Sequence, residues 1–170
     1  MAWYRGARRP LDEAEKSTDA AKARARAMEL LAGQELSSGG LYERLNRRFA
    51  GQTAAAVVAE MVEREYVNDA RYAETRAHGL LAAKKSRRAA AQNLRQKGLS
   101  APQIEQALDT VYAADETGED PELEAAAALV ASRYRKKLET GCRDLVVAAL
   151  MRRGFAYPVI RDAIRRVEQE

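Results

Sequence analysis

One short phrase occurs three times in this chain of 170 residues. It reads Leu45-Asn-Arg-Arg-Phe, then Leu94-Arg-Gln-Lys-Gly-Leu, then Leu150-Met-Arg-Arg-Gly-Phe, so the leucines stand 49 and 56 residues apart. Four residues before each leucine are Leu41, Ala90 and Val146, and thirteen residues after are Val58, Ala107 and Ala163. Each phrase sets a leucine on an apolar face, adds two basic residues and then ends a helix. The first copy carries Phe49 where the others carry Gly98 and Gly154, which makes it the weakest match. Self-similarity at this period marks small units that cannot bury their apolar faces alone and must stack.

The spacing within each unit is helical. Met28 and Leu31, then Leu41, Leu45 and Phe49, then Val58, Met61 and Val62 step by three and four. Ile104, Leu108 and Val111 continue the pattern, followed by Leu123, Ala127, Val130, Tyr134 and Leu138. Leu145, Ala149 and Leu150, then Ile160, Ile164 and Val167 close it. These are amphipathic helix stripes, not alternating strands. They predict nine helices, over about 21–32, 38–49, 53–66, 69–83, 86–97, 101–113, 121–138, 141–153 and 157–168. Gly98 stands where a C′ glycine ends a helix, and Gly154 repeats that role. Ser100 with Gln103 reads as a capping box, and Pro102 falls in a first turn, where its missing N–H costs little. The expected fold is all-α, an elongated array of three tandem three-helix repeats at 21–67, 68–113 and 121–170. Residues 1–20 read as a flexible tail, with Trp3 and Tyr4 lacking periodic partners, and 114–120 as an acidic linker.

Composition agrees and excludes other classes. Alanine dominates, aromatics are only 6%, and Leu, Arg, Glu and Gln supply further helix formers, which disfavours sandwiches and barrels. No run of 18 or more apolar residues suggests a membrane span, and Met1–Asp19 lacks the apolar core of a secretion signal. Cys142 is the one cysteine and His78 the one histidine, so no disulfide, cysteine metal cluster or histidine-based triad is signalled. Cys142 reads as a small apolar side chain on a helix and His78 as a helix-surface residue. No phosphate-binding glycine loop occurs. The carboxylate pairs Glu60/Glu63 and Asp115/Glu116 sit in polar surroundings that would not shift their pKa values. The expectation is a cytoplasmic, monomeric, non-enzymatic protein with no cofactor and no metal.

The charge is segregated. Residues 75–104 hold Arg76, Lys84, Lys85, Arg87, Arg88, Arg95 and Lys97 with no acid, a local charge of +7 against +4 for the whole chain. Residues 133–166 hold ten basic residues against Glu139, Asp144 and Asp162, while 113–124 hold six acids and no base. Such segregation makes local positive fields. Ser86 can cap a helix, so Lys84 and Lys85 lie at a helix N-terminus that favours an anion. Lys84, Arg88 and Arg95 share roughly one face, with Arg87 and Lys97 flanking it. In the third unit Arg152 and Arg153 end a helix, and Arg161, Arg165 and Arg166 follow on the next. A basic helix face is commonly just solvated, but two acid-poor windows at similar places in two repeats favour polyanion contact. Tyr66, Tyr72, Tyr112, Tyr134 and Tyr157 fall mostly on apolar stripes, so base stacking is not signalled. Phosphate backbones or an acidic protein surface fit better.

These residues resemble the RecX family of regulatory proteins. The resemblance runs from about Ala21 to Glu168. Asn68-Asp69-Ala70-Arg71-Tyr72-Ala73 is similar to the family's Asp-Asp-x-Arg-Phe-Ala segment. Ser86-Arg87-Arg88 follows, Leu94-Arg95-Gln96-Lys97-Gly98-Leu99 resembles the family's Leu-x-x-Lys-Gly-Ile phrase, and Arg152-Arg153-Gly154-Phe155 resembles its last-repeat counterpart. Residues 84–88 depart in lacking the glycine that often precedes the basic run. The resemblance implies tandem three-helix repeats and binding to the RecA recombinase and its DNA filament. It implies restraint of ATP hydrolysis, strand exchange and coprotease activity, in the setting of recombination, repair and the SOS response. The residues assigned to RecA or DNA contact are Lys84, Lys85, Arg87, Arg88, Arg95, Lys97, Arg152, Arg153, Arg165 and Arg166. Direct contact with single- or double-stranded DNA is left open. The alternative is a basic helical DNA-binding protein that acts independently of RecA.

Overall fold

The computed structural model describes residues 10–114 and 118–169. Trp3, Tyr4, Asp115 and Glu116, together with the middle of the acidic linker, lie outside the described residues. The described residues are helical, with one isolated bridge between Ser17 and Phe49. The chain divides into two compact units, Met1–Asn68 and Asp69–Glu170.

The first unit contains α1 (Ala20–Gly33), α2 (Ser38–Asn46) and α3 (Gly51–Glu63). Asp19 caps α1 and Ser37 caps α2, each taking a backbone N–H of the first turn. Their core joins Ala23, Ala27, Leu41, Leu45, Phe49, Ala54, Val57 and Met61. Two corrections to the predicted stripes appear here. Met28 and Val62 are exposed, and the face of α1 that packs is Ala23 and Ala27, with Leu30 and Leu31 partly buried. Alanine on this face lets α1 approach its neighbours closely, which a stripe of large side chains would prevent.

The second correction concerns register. Phe49 does not take the place of Gly98 and Gly154; it is buried like Leu99 and Phe155, the residues after those glycines. The first unit is one residue shorter at this turn. Gly98 and Gly154 adopt φ of 78° and 91°, which lets Leu99 and Phe155 donate back to the carbonyls of Leu94 and Leu150. Phe49 instead donates to Leu45 directly, four residues back. Everything downstream shifts by one, so Val57 is buried and Val58 only partly so, whereas Ala107 and Ala163 are buried at the longer spacing.

The segment before α1 makes ordered contacts. From Asp12 it is tied to the first unit: Glu13–Glu15 forms a short 3-10 turn, and Lys16 bonds Glu13 and Asn46. Ser17 N–H donates to the Arg48 carbonyl, Ala50 N–H donates to Ser17, and Gly51 N–H donates to the Glu13 carboxylate. Backbone groups at the α2–α3 turn need partners, and this segment supplies them. Lacking apolar period, it gave no sign of this.

The second unit contains two three-helix cores. The first comprises α4 (Asp69–Ala82), α5 (Arg87–Gln96) and α6 (Ala101–Val111), packed around Ala73, Ala77, Ala90, Leu94, Ile104 and Leu108. The capping box of Ser100 with Gln103 is formed. The second core begins with α7 (Pro121–Leu129), which passes through a wide π turn at Val130–Tyr134 into α8 (Arg135–Glu139). It continues with α9 (Arg143–Arg152) and α10 (Tyr157–Gln169), around Val130, Val146, Leu150, Phe155, Ile160 and Ile164. Leu45, Leu94 and Leu150 are all fully buried. Leu145, Tyr66 and Tyr157 are exposed, against the sequence reading, while Tyr112 is buried as expected. His78 is an exposed helix residue, and Cys142 is half-buried at the N-cap of α9.

A basic junction as the candidate functional site

The basic residues of the second and third phrases meet at one place. Ser86, fully buried, caps α5 by accepting from Ala89 N–H at 3.1 Å and donates its hydroxyl proton to the Arg153 carbonyl at 2.9 Å. Gly154 lies so close that a Cβ there would sit 2.7 Å from the Ser86 hydroxyl and 3.6 Å from Arg88 Cβ. The end of α9 therefore runs beside the first turn of α5, and Arg88 lies beside the Arg152–Arg153 pair. Arg88 and Arg152 are exposed and Arg153 is half-buried. Among the described residues none of the three has an acidic partner.

Two further bonds fix the junction. Tyr112 donates its hydroxyl to the Lys85 carbonyl at 2.9 Å, and burial pushes its pKa up to about 12, keeping it a donor. Arg87 N–H donates to the Glu122 carboxylate at 3.0 Å. This bond bears on the α5 N-terminus, where the sequence reading expects an anion. The N-terminus of α5 holds an internal carboxylate, Glu122 of α7. Burial raises the Glu122 pKa, while the Arg87 backbone donor pulls the other way.

The remaining predicted residues are dispersed. The Arg87 guanidinium turns to Asp109 at 2.6 Å, with both side chains substantially exposed. Lys84 lines a separate groove of about 420 Å³ with His78, Leu81, Glu119 and Glu124. Lys84 also has φ of 57°. It occupies the left-handed helix-end position that favours glycine, so Lys85 can donate back to the Leu80 carbonyl at 3.0 Å. Arg95 and Lys97 are exposed at the far end of α5, about 12 Å along the axis from Arg87. Arg165 faces Asp162 at 3.8 Å, and Arg166 bonds Glu124. Glu60, expected on a solvated face, pairs with Arg24 at 2.6 Å and Arg64 at 3.0 Å. Among the described residues no group of His, Cys, Asp and Glu is placed to hold a metal ion, and no helix is long and apolar enough to cross a membrane.

Fold and site together define an all-helical protein of three-helix units with a basic junction between the last two cores. Residues 68–108 match the family model of RecX, second three-helix domain. Over those residues the chain is similar to the RecX family. Its fold is similar to the crystal structure of RecX from Lactobacillus salivarius, at 19% identity and a TM-score of 0.74 over 89% of this chain and 98% of that one. It is likewise similar to a crystal structure of regulatory protein RecX, at 19% identity and a TM-score of 0.72 over 89% of this chain and 72% of that one. No curated protein matches the chain in sequence.

Proposed function

We propose that this protein regulates the RecA recombinase by binding its nucleoprotein filament, restraining ATP hydrolysis, strand exchange and coprotease activity. The observation that carries this reading is the match of 68–108, which encloses the whole of α5 and its capped basic first turn. The contact centres on Arg88, Arg152 and Arg153, three arginines whose backbones the Ser86–Arg153 bond brings to one place. Guanidinium forks suit either filament phosphates or the carboxylates of a protein surface. Lys85, Arg95, Lys97, Arg165 and Arg166 add to the field rather than to one pocket, and Lys84 lies apart in its own groove.

The test is a titration of RecA's single-strand-dependent ATPase with this protein. Inhibition at or below stoichiometric amounts is the expected result, and the variant R88A/R152A/R153A weakens it while melting like the parent. Surface charges of this kind contribute little to the fold. Inhibition that sets in only when the protein coats the DNA overturns this reading in favour of a DNA-binding protein acting independently of RecA.

A further inference from the structure

The first unit carries a second basic site, built around Arg47 and Arg48, which stand in the recurring phrase but to which the sequence reading assigned no role. A pocket of about 300 Å³ is lined by Arg26, Leu30, Arg44, Arg47 and Arg48. Arg26 and Leu30 stand one turn apart on α1, and the other three arginines share the end of α2 at i, i+3 and i+4. Among the described residues one carboxylate pairs with this group, Glu29, 2.8 Å from Arg26. Gln34, with its amide oxygen turned inward, accepts from Arg44. Arg47 and Arg48 are exposed and have no acidic partner among the described residues.

A cation or two at a helix C-terminus serves the backbone dipole. Three arginines there, with a fourth converging from another helix, exceed that need and repel one another. An anion in the pocket relieves the repulsion. The lining offers guanidinium forks around one leucine and no aromatic wall, which suits a phosphate group rather than a base or an apolar side chain. The pocket is at the small end of ligand sites. Arg47 and Arg48 also line a neighbouring groove of about 710 Å³ with Pro10, Leu11, Lys16, Tyr42, Glu43 and Asn46, whose one carboxylate is set against three cations. A basic pocket leading into a groove with an aromatic ring and an amide is the arrangement that takes a backbone phosphate and its adjoining base.

We infer that the first unit binds single-stranded nucleic acid, with a phosphate held by Arg26, Arg44, Arg47 and Arg48 and a neighbouring base lying against Tyr42. This site is separate from the junction of α5 and α9 and does not rest on the RecA reading. The experiment is fluorescence anisotropy of a labelled short oligothymidylate with the full chain, without RecA, across a salt series. R47Q/R48Q weakens binding about tenfold, and its salt slope falls by about 1.4, the share of two phosphate contacts on a single strand. R47K/R48K keeps the slope and loses affinity, because the charge remains but the fork does not. Circular dichroism melts accompany each variant, and the lysine variant decides the matter if the glutamine one melts early. Parental affinity and slope in a variant that melts normally overturn the inference. Parental oligonucleotide binding combined with lost RecA inhibition also overturns it, since the pocket would then be a protein contact.

Discussion

Gly154→Ala isolates the contact that joins the two cores of the second unit. Two costs add at this position. A residue with a Cβ at φ of 91° loses about 1–2 kcal/mol in the left-handed region. The new methyl also meets the Ser86 hydroxyl at 2.7 Å. That hydroxyl is fixed on both sides, accepting from Ala89 N–H and donating to Arg153, so it cannot swing away without losing a cap. Forcing an extra carbon into a packed site of this kind costs about 1–3 kcal/mol. The sum is about 2–5 kcal/mol, or a fall in melting temperature of roughly 4–20 °C for a chain of this size. Gly141→Ala is the internal control. It has φ of 74° and nothing within 4 Å of its Cβ position, so it bears the backbone cost alone. Urea denaturation followed by far-ultraviolet circular dichroism measures both. Ser86→Ala completes a cycle: removing the hydroxyl makes room, so Gly154→Ala costs at least about 1 kcal/mol less in that background. Equal losses for the two glycine variants, or strict additivity with Ser86→Ala, would refute the reasoning.

Three other outcomes follow from the same structure. Leu94→Ala, at a fully buried site, lowers unfolding free energy by about 2–5 kcal/mol, measured by urea denaturation, and Leu45→Ala and Leu150→Ala do the same. Lys84→Gly relieves a non-glycine residue at φ of 57° and stabilises the protein by about 0.5–1 kcal/mol, read as a raised urea midpoint. Glu122 has a folded pKa above its ordinary 4.5, so the folded chain holds its proton more tightly than the unfolded one. The stability this contributes is full below pH 4.5 and is lost as pH rises through the raised value. Glu122→Gln keeps an acceptor for Arg87 N–H, removes that decline, and leaves the variant at least as stable as the parent at neutral pH, as urea midpoints across the pH range check.

What the sequence disclosed and what it hid divide along a physical line. Local chemistry was legible: Ser86, Ser100 and Gln103 cap as their types demand, and Gly98 and Gly154 end helices because only glycine enters the left-handed region freely. Burial of Leu45, Leu94 and Leu150 followed from the recurrence alone. Contacts between distant residues were not legible. Glu122 reaches the α5 N-terminus from 35 positions away, and no pattern near Arg87 announces it. The Ser86–Arg153 bond spans 67 positions. The shift at Phe49 was hidden for a different reason. A missing residue shifts one apolar position into the column of another, and periodicity tolerates the slip. Of the candidate site, the residue types were visible, while their gathering beside Gly154 and the pairing of Arg87, Arg165 and Arg166 with acids depended on the fold.

The wide turn at Val130–Tyr134 has a bearing on how this chain tolerates changes in length. Val130, Tyr134 and Leu138 all face the core formed by α7–α10 and are spaced four apart. Steps of four overshoot a regular helix by about 40° each, so the last of them would rotate off the core. One turn closed over an extra residue takes up that overshoot. The surplus residue is thus stored inside a helix rather than expelled into a loop. Excising one exposed residue there, such as Ser132, restores an ordinary helical turn instead of tearing one open. A single-codon deletion, the most damaging lesion for most helices, is at this position a change the fold can absorb.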